Sequence, residues 1–180
     1  CRTDLLVDDK GIIHVAYRSL MYPVALFGEQ ARDMAYVYSE DNGRTFTAET
    51  TISADNWAIR ACPHTGPALA SRNGCIHAVW FTAGGSAGLY YAHAAPNNTS
   101  FSQRELLTTT GSHPQSIAVG TDSILVVYED RPMPSVAHHP DAHGGMHDHH
   151  AQTSTDNTAM RSHILLHPIV KEHPSAPVRI

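Results

Sequence analysis

Leu5-Leu6-Val7-Asp8-Asp9-Lys10-Gly11-Ile12-Ile13-His14-Val15-Ala16-Tyr17 is an apolar run, a polar turn ending in glycine, and a second run of β-branched and aromatic residues. Strands favour such side chains, and tight turns need residues that tolerate positive φ, so this is the text of a β-hairpin. It is written three times. Ala68-Leu69-Ala70-Ser71-Arg72-Asn73-Gly74-Cys75-Ile76-His77-Ala78-Val79-Trp80 aligns to it without a gap, and Ser116-Ile117-Ala118-Val119-Gly120-Thr121-Asp122-Ser123-Ile124-Leu125-Val126-Val127-Tyr128 more loosely. A repeated hairpin sets the architecture before any single residue is considered.

Each hairpin is followed by further strand-like text. Residues 33–38 and 45–52 follow the first, 88–93 and 100–107 the second, and 162–166 with a last stretch near Val178 the third. Four strands per unit, spaced by 63 and then 48 residues from Tyr17 to Trp80 to Tyr128, is the period of propeller blades, and no helical period competes with it. The expectation is an all-β fold: a β-propeller of four-stranded blades, about three in this chain. Residues 1–180 then form a single partial propeller domain with blades at roughly 1–53, 64–107 and 113–180. A β-sandwich shares the short-strand signature and stays open as the alternative. Closed propellers have about four to eight blades, so three leave sheet faces unsealed. Either the chain is a segment of a larger protein, favoured by Cys1 standing at the start of an inner strand, or a second chain completes a ring of six.

Between the third and fourth strands of the first unit stands Ser39-Glu40-Asp41-Asn42-Gly43-Arg44-Thr45-Phe46. It resembles the Asp box of the BNR-repeat, sialidase-superfamily propellers. Asp41 suits the turn by accepting from nearby backbone amides, Gly43 permits positive φ, and Phe46 is expected to plug the apolar layer of its blade. Residues 94–101 hold the same place in the second unit but keep only Phe101. The resemblance covers Leu5 to Arg131. It implies that the Asp box, with Ser39, Asp41, Gly43 and Phe46, is a structural turn on the face away from the substrate. Sialidases of this kind carry an arginine triad that grips a carboxylate, a Tyr nucleophile assisted by Glu, and an Asp acid/base. No Arg-Ile-Pro motif occurs here, and Arg2, Arg18, Arg32, Arg60 and Arg131 lie in no matching motif. The resemblance therefore speaks for the fold and leaves the catalytic set unidentified.

Charge narrows the partners. Twelve Lys plus Arg against seventeen Asp plus Glu, for a formal net charge of -5, provide no basic stripe for a phosphate backbone, which argues against nucleic acid. No window approaches the roughly 18 apolar residues of a membrane span, and no basic start followed by an apolar run marks an export signal, so the chain as given reads as soluble with any signal removed. Cys1, Cys62 and Cys75 are too few and too odd in number for a disulfide scaffold. An opening Cys1 also fits a processed lipoprotein, although a strand begins where a polar tether is expected.

In a four-stranded blade the links from strand two to three and from strand four to the next blade emerge on one face, and the hairpin turns on the other. The loop face collects residues 1–2, 19–32, 54–66, 83–87, 108–113 and 129–161. Arg18, Arg32, Asp55, Trp57 and Arg60 are its candidates for an anionic glycan, since guanidinium groups clamp anions and Trp stacks on sugars. In the other reading Trp57 covers a blade edge and Arg60 pairs with Asp55. The gapless alignment also superposes Cys1 on His64 and brings His113 beside them, with Cys62 near, and thiolate and imidazole together could hold Zn or Cu. A Cys1–Cys62 disulfide competes with that. Cys75 reads as core, and His14 and His77, at one strand position, as structural.

After Arg131 the text changes to a His-rich loop insertion over residues 132–158. His138, His139, His143, His147, His149 and His150 stand there with Asp141, Asp148 and Met146, a composition that favours Cu, Ni or Zn near neutral pH. The sequence thus supports three functions. One is an extracytoplasmic (secreted, periplasmic or cell-surface) sialidase-like propeller that binds or hydrolyses an anionic glycan. The others are a Cu- or Zn-binding propeller and a non-catalytic scaffold for another protein.

Overall fold

The protein is described by a computed structural model that covers residues 2–20, 31–59, 63–119, 123–130, 163–170 and 173–179. Among these residues there are thirteen strands and no helix. The first sheet holds β1 (Thr3–Val7), β2 (Ile13–Arg18), β3 (Met34–Ser39) and β4 (Thr50–Ser53). The second holds β5 (Ala68–Arg72), β6 (Cys75–Thr82), β7 (Gly88–Ala94) and β8 (Glu105–Thr108). The third holds β9 (Gly111–Val119), β10 (Ser123–Asp130) and β11 (His163–Val170), with β12 (His173–Pro174) and β13 (Val178–Arg179) both paired to β11 in the fourth place. Every pairing is antiparallel and between chain neighbours, apart from the interrupted last strand.

Period-two alternation decides how the sheets meet. Ala16, Met34, Tyr36 and Ile52 of the first sheet pack on Leu69, Ile76, Ala78, Trp80, Tyr90 and Ala92 of the second. The opposite face of the second sheet, with Ala70, Val79, Leu89 and Tyr91, packs on Ile124, Val126, Tyr128 and Ile169 of the third. The middle sheet is therefore buried on both faces and β6 is buried almost throughout, whereas β2 and β10 alternate strictly. The leading strands lie against one another, β1 on β5 and β5 on β9. The Leu69 amide donates to the Asp4 carboxylate at 2.6 Å. Leu6, Asp8, Leu69, Ser71, Ser116 and Ala118 of those strands line a shared groove of about 240 Å³.

Turn length corrects the gapless alignment. In the second sheet Arg72 pairs with Cys75 across two residues, Asn73 (φ 51°) and Gly74 (φ 78°), the positive-φ pair of a tight hairpin turn. The first sheet uses three. Gly11 (φ 80°) donates to the Asp8 carbonyl at 2.9 Å, and the Asp8 carboxylate accepts from the amides of Lys10 and Ile12 at 2.9 and 2.8 Å. Leu5 pairs with Val15 and Leu69 with Ala78, so Leu5 corresponds to Leu69 and not to Ala68. The expected match of Cys1 with His64 falls on a residue outside the described ones.

The octapeptide from Ser39 to Phe46 folds as a locally closed turn. The Asp41 carboxylate accepts from the Thr45 amide at 2.9 Å, the Thr45 hydroxyl at 2.6 Å and the Ser39 hydroxyl at 2.8 Å, while the Gly43 amide donates to Ser39 Oγ at 2.9 Å. Asn42 and Gly43 take positive φ. Because the turn reaches to Thr45 and Thr47 pairs back to Tyr38, the fourth strand starts only at Thr50, five residues later than expected. Phe46 does not plug its own sheet and is 47% exposed. Its counterpart Phe101 explains why: bridged to Ala94, it leans back onto Tyr36 of the preceding sheet, with ring centres 5.3 Å apart, and no described sheet precedes the first.

Hydrogen bonding to the charged form, led by the Thr45 hydroxyl and amide, holds the Asp41 carboxyl down to about 2. A depressed acid favours the folded state above its unfolded value near pH 4, and the contribution disappears as pH falls through about 2. Asp41→Asn is therefore expected to flatten the decline of the thermal midpoint between about pH 4 and pH 2. A variant with the native acid slope would show that the turn contributes nothing there.

Candidate functional site

Four of the candidates expected on the loop face, Arg18, Arg32, Asp55 and Trp57, form one buried seam between the first two sheets, or border it. Arg18, last in β2, is nearly buried; its two terminal nitrogens donate to the carbonyls of Arg32 (2.6 Å) and Phe81 (2.7 Å). Its guanidinium lies 4.7 Å from the Trp57 ring centre, and Trp57 meets Phe81 edge-on at 5.6 Å. Burial pushes the Arg18 pKa down to about 10, against the carboxylates of Asp55 and Asp33, which favour the charge. Arg32 is joined through its amide to the Trp57 carbonyl at 3.0 Å. Arg18 therefore ties three chain segments together, and Trp57 roofs it.

Asp55 is fully occupied by the protein. Its side chain accepts from the Ser53 hydroxyl at 2.8 Å and Trp80 Nε1 at 2.8 Å, and it pairs with Arg104, whose guanidinium lies 4.4 Å from the Tyr90 ring centre. The expected alternative partner, Arg60, lies outside the described residues. Asp33, which the sequence reading did not single out, accepts from the amides of Asn56 (3.0 Å) and Trp57 (3.1 Å) and so shapes the turn where Asn56 takes φ 54°. Gly84 closes the seam from the other side: a Cβ there would meet the Asp55 carbonyl oxygen at 2.2 Å.

Beyond Phe81 the loop face opens. A cleft of about 430 Å³ lies between the second and third sheets, lined by His64, Thr65, Phe81, Thr110, Ser112 and His113 among others. His113 takes φ 51° near a register shift between β9 and β10, which turns its ring out of the ladder. Its Nδ1 lies 3.1 Å from Glu129 Oε2 and 3.1 Å from Ser112 Oγ. Thr110 donates to the buried Asp130, and the Thr108 and Thr110 hydroxyls are 3.1 Å apart. Two histidines, four hydroxyl-bearing residues and one phenylalanine thus line one hollow on ladder-held strands and short links. Position 64 and position 113 come together as the sequence suggested. Cys1, Cys62 and the histidines from His138 to His150 lie outside the described residues. Among the described residues no group of three or more His, Cys, Asp or Glu is placed to hold a metal, and no helix is long and apolar enough to cross a membrane.

A second hollow, on the turn face, was not anticipated. It measures about 130 Å³ and is lined by Asp8, Lys10, His14, Tyr38 and Glu40 on the side of the first sheet and by Ala95 and residues 97–99 on the side of the second. His14 Nδ1 lies 2.6 Å from the Tyr36 hydroxyl, and its Nε2 is 3.4 Å from the Asp8 carboxylate. Burial lowers the His14 pKa against the pull of Asp8, which favours the neutral ring. Burial pushes the Asp8 carboxyl up, but the Ile12 amide, His14 and the Lys10 amide outweigh it and leave it below the usual range. The second sheet repeats the pair, with His77 Nδ1 2.9 Å from the Tyr91 hydroxyl and the rings stacked. The legible signal was a His recurring at one position of the hairpin together with a Tyr recurring on the next strand.

No protein-family model matches the chain, and no curated protein matches it. Among solved structures it is similar to a protein of unknown function from Dyadobacter fermentans DSM 18053, with a TM-score of 0.51 and 15% identity over 71% of this chain and 33% of that one. This chain spans about a third of that structure's length. At such identity the likeness bears on the fold, an all-β arrangement of antiparallel sheets, and on nothing else.

Proposed function

We propose that the three sheets are successive blades of an extracytoplasmic, sialidase-like Asp-box propeller, and that it binds a glycan in the loop-face cleft between the second and third blades. The blade reading is supported by sheets stacked face to face in chain order with their leading strands against one another. The observation that carries the binding reading is the cleft: hydroxyl-bearing Thr65, Thr110 and Ser112 beside the Phe81 ring and two imidazoles. Sugars are held by this combination, an apolar platform under a ring face and short polar groups at its rim. An acidic sugar would in addition use His64 and His113 as donors. Arg18, Asp55 and Trp57 enter this reading as the support behind Phe81.

Screening the 180-residue protein on an array of acidic and neutral glycans, then titrating the best hit by calorimetry, tests the proposal. Phe81→Ala is expected to weaken binding tenfold or more, about 1.4 kcal/mol, and His64→Ala to weaken it less. The thermal midpoint of each variant, read alongside, separates lost binding from lost folding. A folded protein that binds nothing on the array removes the proposal, and a fluorogenic sialoside in the same screen reports any turnover.

One observation favours Zn or Cu at the same cleft as a second reading. Glu129 sits on Nδ1 of His113, the kind of carboxylate contact that orients a metal-binding imidazole. Elemental analysis of protein purified without an affinity tag decides it.

A further inference from the structure

The hollow on the turn face sets acids that do not recur onto a frame that does. The first two sheets share the His–Tyr pair, His14 with Tyr36 and His77 with Tyr91. Asp8 and Glu40 have no acidic counterparts: by register they stand where the second sheet has Arg72 and Ala95. Packing a His against a Tyr therefore needs neither carboxylate.

Asp8 spends one oxygen on the fold. Its Oδ1 accepts both turn amides, from Lys10 at 2.9 Å and from Ile12 at 2.8 Å, and so closes the three-residue turn. Its Oδ2 lies 3.4 Å from His14 Nε2, longer than an ordinary N–H···O bond. Both side chains are more than nine-tenths buried, at 7% and 6% exposed, and Nε2 has no hydrogen-bond partner among the described residues. Buried polar atoms are normally matched, and these two border a hollow of about 130 Å³.

The walls suit a small organic cation. Tyr36 and Tyr38 stack with ring centres 6.1 Å apart, and the Tyr38 ring centre is 6.3 Å from that of His14, so one side is aromatic. Ile12 and Ile76 add apolar surface, while Gly74 and Ala95 keep the opposite side low. The lining carries the carboxylates of Asp8 and Glu40 against one ammonium, that of the exposed Lys10. Among the described residues Asp8, His14 and Glu40 are not grouped as a metal-ligand set, and aliphatic walls offer nothing to a bare ion. Since an apolar cavity of about 150 Å³ holds benzene, this one has room for about six non-hydrogen atoms.

We infer that the turn-face hollow binds a free, short primary alkylammonium, its N–H groups shared between Asp8 Oδ2 and His14 Nε2 and its alkyl body lying against Ile12, Ile76 and Tyr38. An ammonium has three N–H donors and no acceptor, so one ligand group serves both buried atoms, with the ring proton of His14 then on Nδ1 beside the Tyr36 hydroxyl. Glu40 strengthens the field at the mouth. The site is separate from the loop-face cleft and depends on neither the blade reading nor glycan binding.

Titrating butylammonium chloride into the isotope-labelled 180-residue protein, and following its amide resonances, tests the inference, with 1-butanol as the uncharged match and tetramethylammonium as a cation without N–H. Saturable shifts are expected at Lys10, Ile12, Gly74 and Asn97, with butanol and tetramethylammonium weaker by about tenfold or more. Asp8→Asn keeps an oxygen for the turn amides while removing the charge, and is expected to weaken butylammonium binding by about tenfold with the fold intact. No saturable shift at those amides overturns the inference. So does butanol or tetramethylammonium binding as tightly as butylammonium, or a folded Asp8→Asn protein that binds as the native one does. If Asp8→Asn does not fold, Glu40→Gln takes its place: the preference for butylammonium over butanol is expected to shrink by about threefold, and an unchanged preference overturns the inference.

Discussion

Trp80→Ala is expected to cost about 3–5 kcal/mol, the range for removing a large aromatic from a packed core. Trp80 has no exposed surface, stands at the centre of the contact between the first two sheets, and stacks on Tyr90. Its loss also takes a donor from a buried carboxylate, since Trp80 Nε1 is one of the partners of Asp55. For a chain of this length that loss lowers the thermal midpoint by about 6–20 °C. Trp80→Phe separates the two contributions, keeping most of the ring while removing the N–H, and is expected to cost about 1–3 kcal/mol. Urea unfolding followed by circular dichroism measures both. A Trp80→Ala protein within about 1 kcal/mol of the native one would mean that the first two sheets do not pack through this residue.

Arg18→Met is expected to be the next most damaging change, at about 2–4 kcal/mol. The substitution keeps the apolar stem but strands two carbonyls, of Arg32 and Phe81, that a nearly buried guanidinium now satisfies, and it removes the cation from under Trp57. It also leaves the carboxylates of Asp33 and Asp55 without the nearby charge that both sense. Arg18→Lys is expected to recover less than half of the loss, because one ammonium cannot reach two divergent carbonyls as a planar fork does. Because the Phe81 carbonyl anchors the strand whose side chain floors the cleft, Arg18→Met should also weaken glycan binding in the titration described above. Native stability in Arg18→Met would place the seam's strength elsewhere, in Asp55 and its three partners.

Much of the architecture was readable because a strand's side-chain period is two and the hairpin recurs. The three repeats quoted at the outset lie on β1–β2, β5–β6 and β9–β10, and the two strands expected after each hairpin are present, with shorter fourth strands. What the pattern could not supply was turn length. One residue fewer at Asn73-Gly74 than at residues 9–11 shifts the leading strand by one, which no composition rule registers. Nor could it supply partners across sheets. Asp55 was rightly noticed as unusual, yet its salt-bridge partner is Arg104, forty-nine residues away on the link before β8, and its neighbour Asp33 serves the turn that carries Trp57. Phe46 matched its motif in sequence and still ended up exposed, since the position plugs a neighbouring sheet rather than its own.

The cleft shows the same division. His64 and His113 were named from their places at the starts of leading strands, and both line it. Phe81 and Thr110, which give the cleft its floor and rim, carried no motif. The turn-face hollow around His14 passed for plain core because a buried His beside a Tyr looks the same in sequence whether or not a cavity adjoins it.

From the chain's own letters came the all-β class, the threefold repetition, the closed turn after Ser39 and the face on which the loops gather, because local backbone preference and side-chain alternation act over a few residues and are written there directly. Only the folded chain decided that Arg18 and Asp55 are interior struts and that the open hollow lies one sheet further along. Those outcomes depend on which atoms meet across sheets tens of residues apart, and a one-residue difference in a turn is enough to change them.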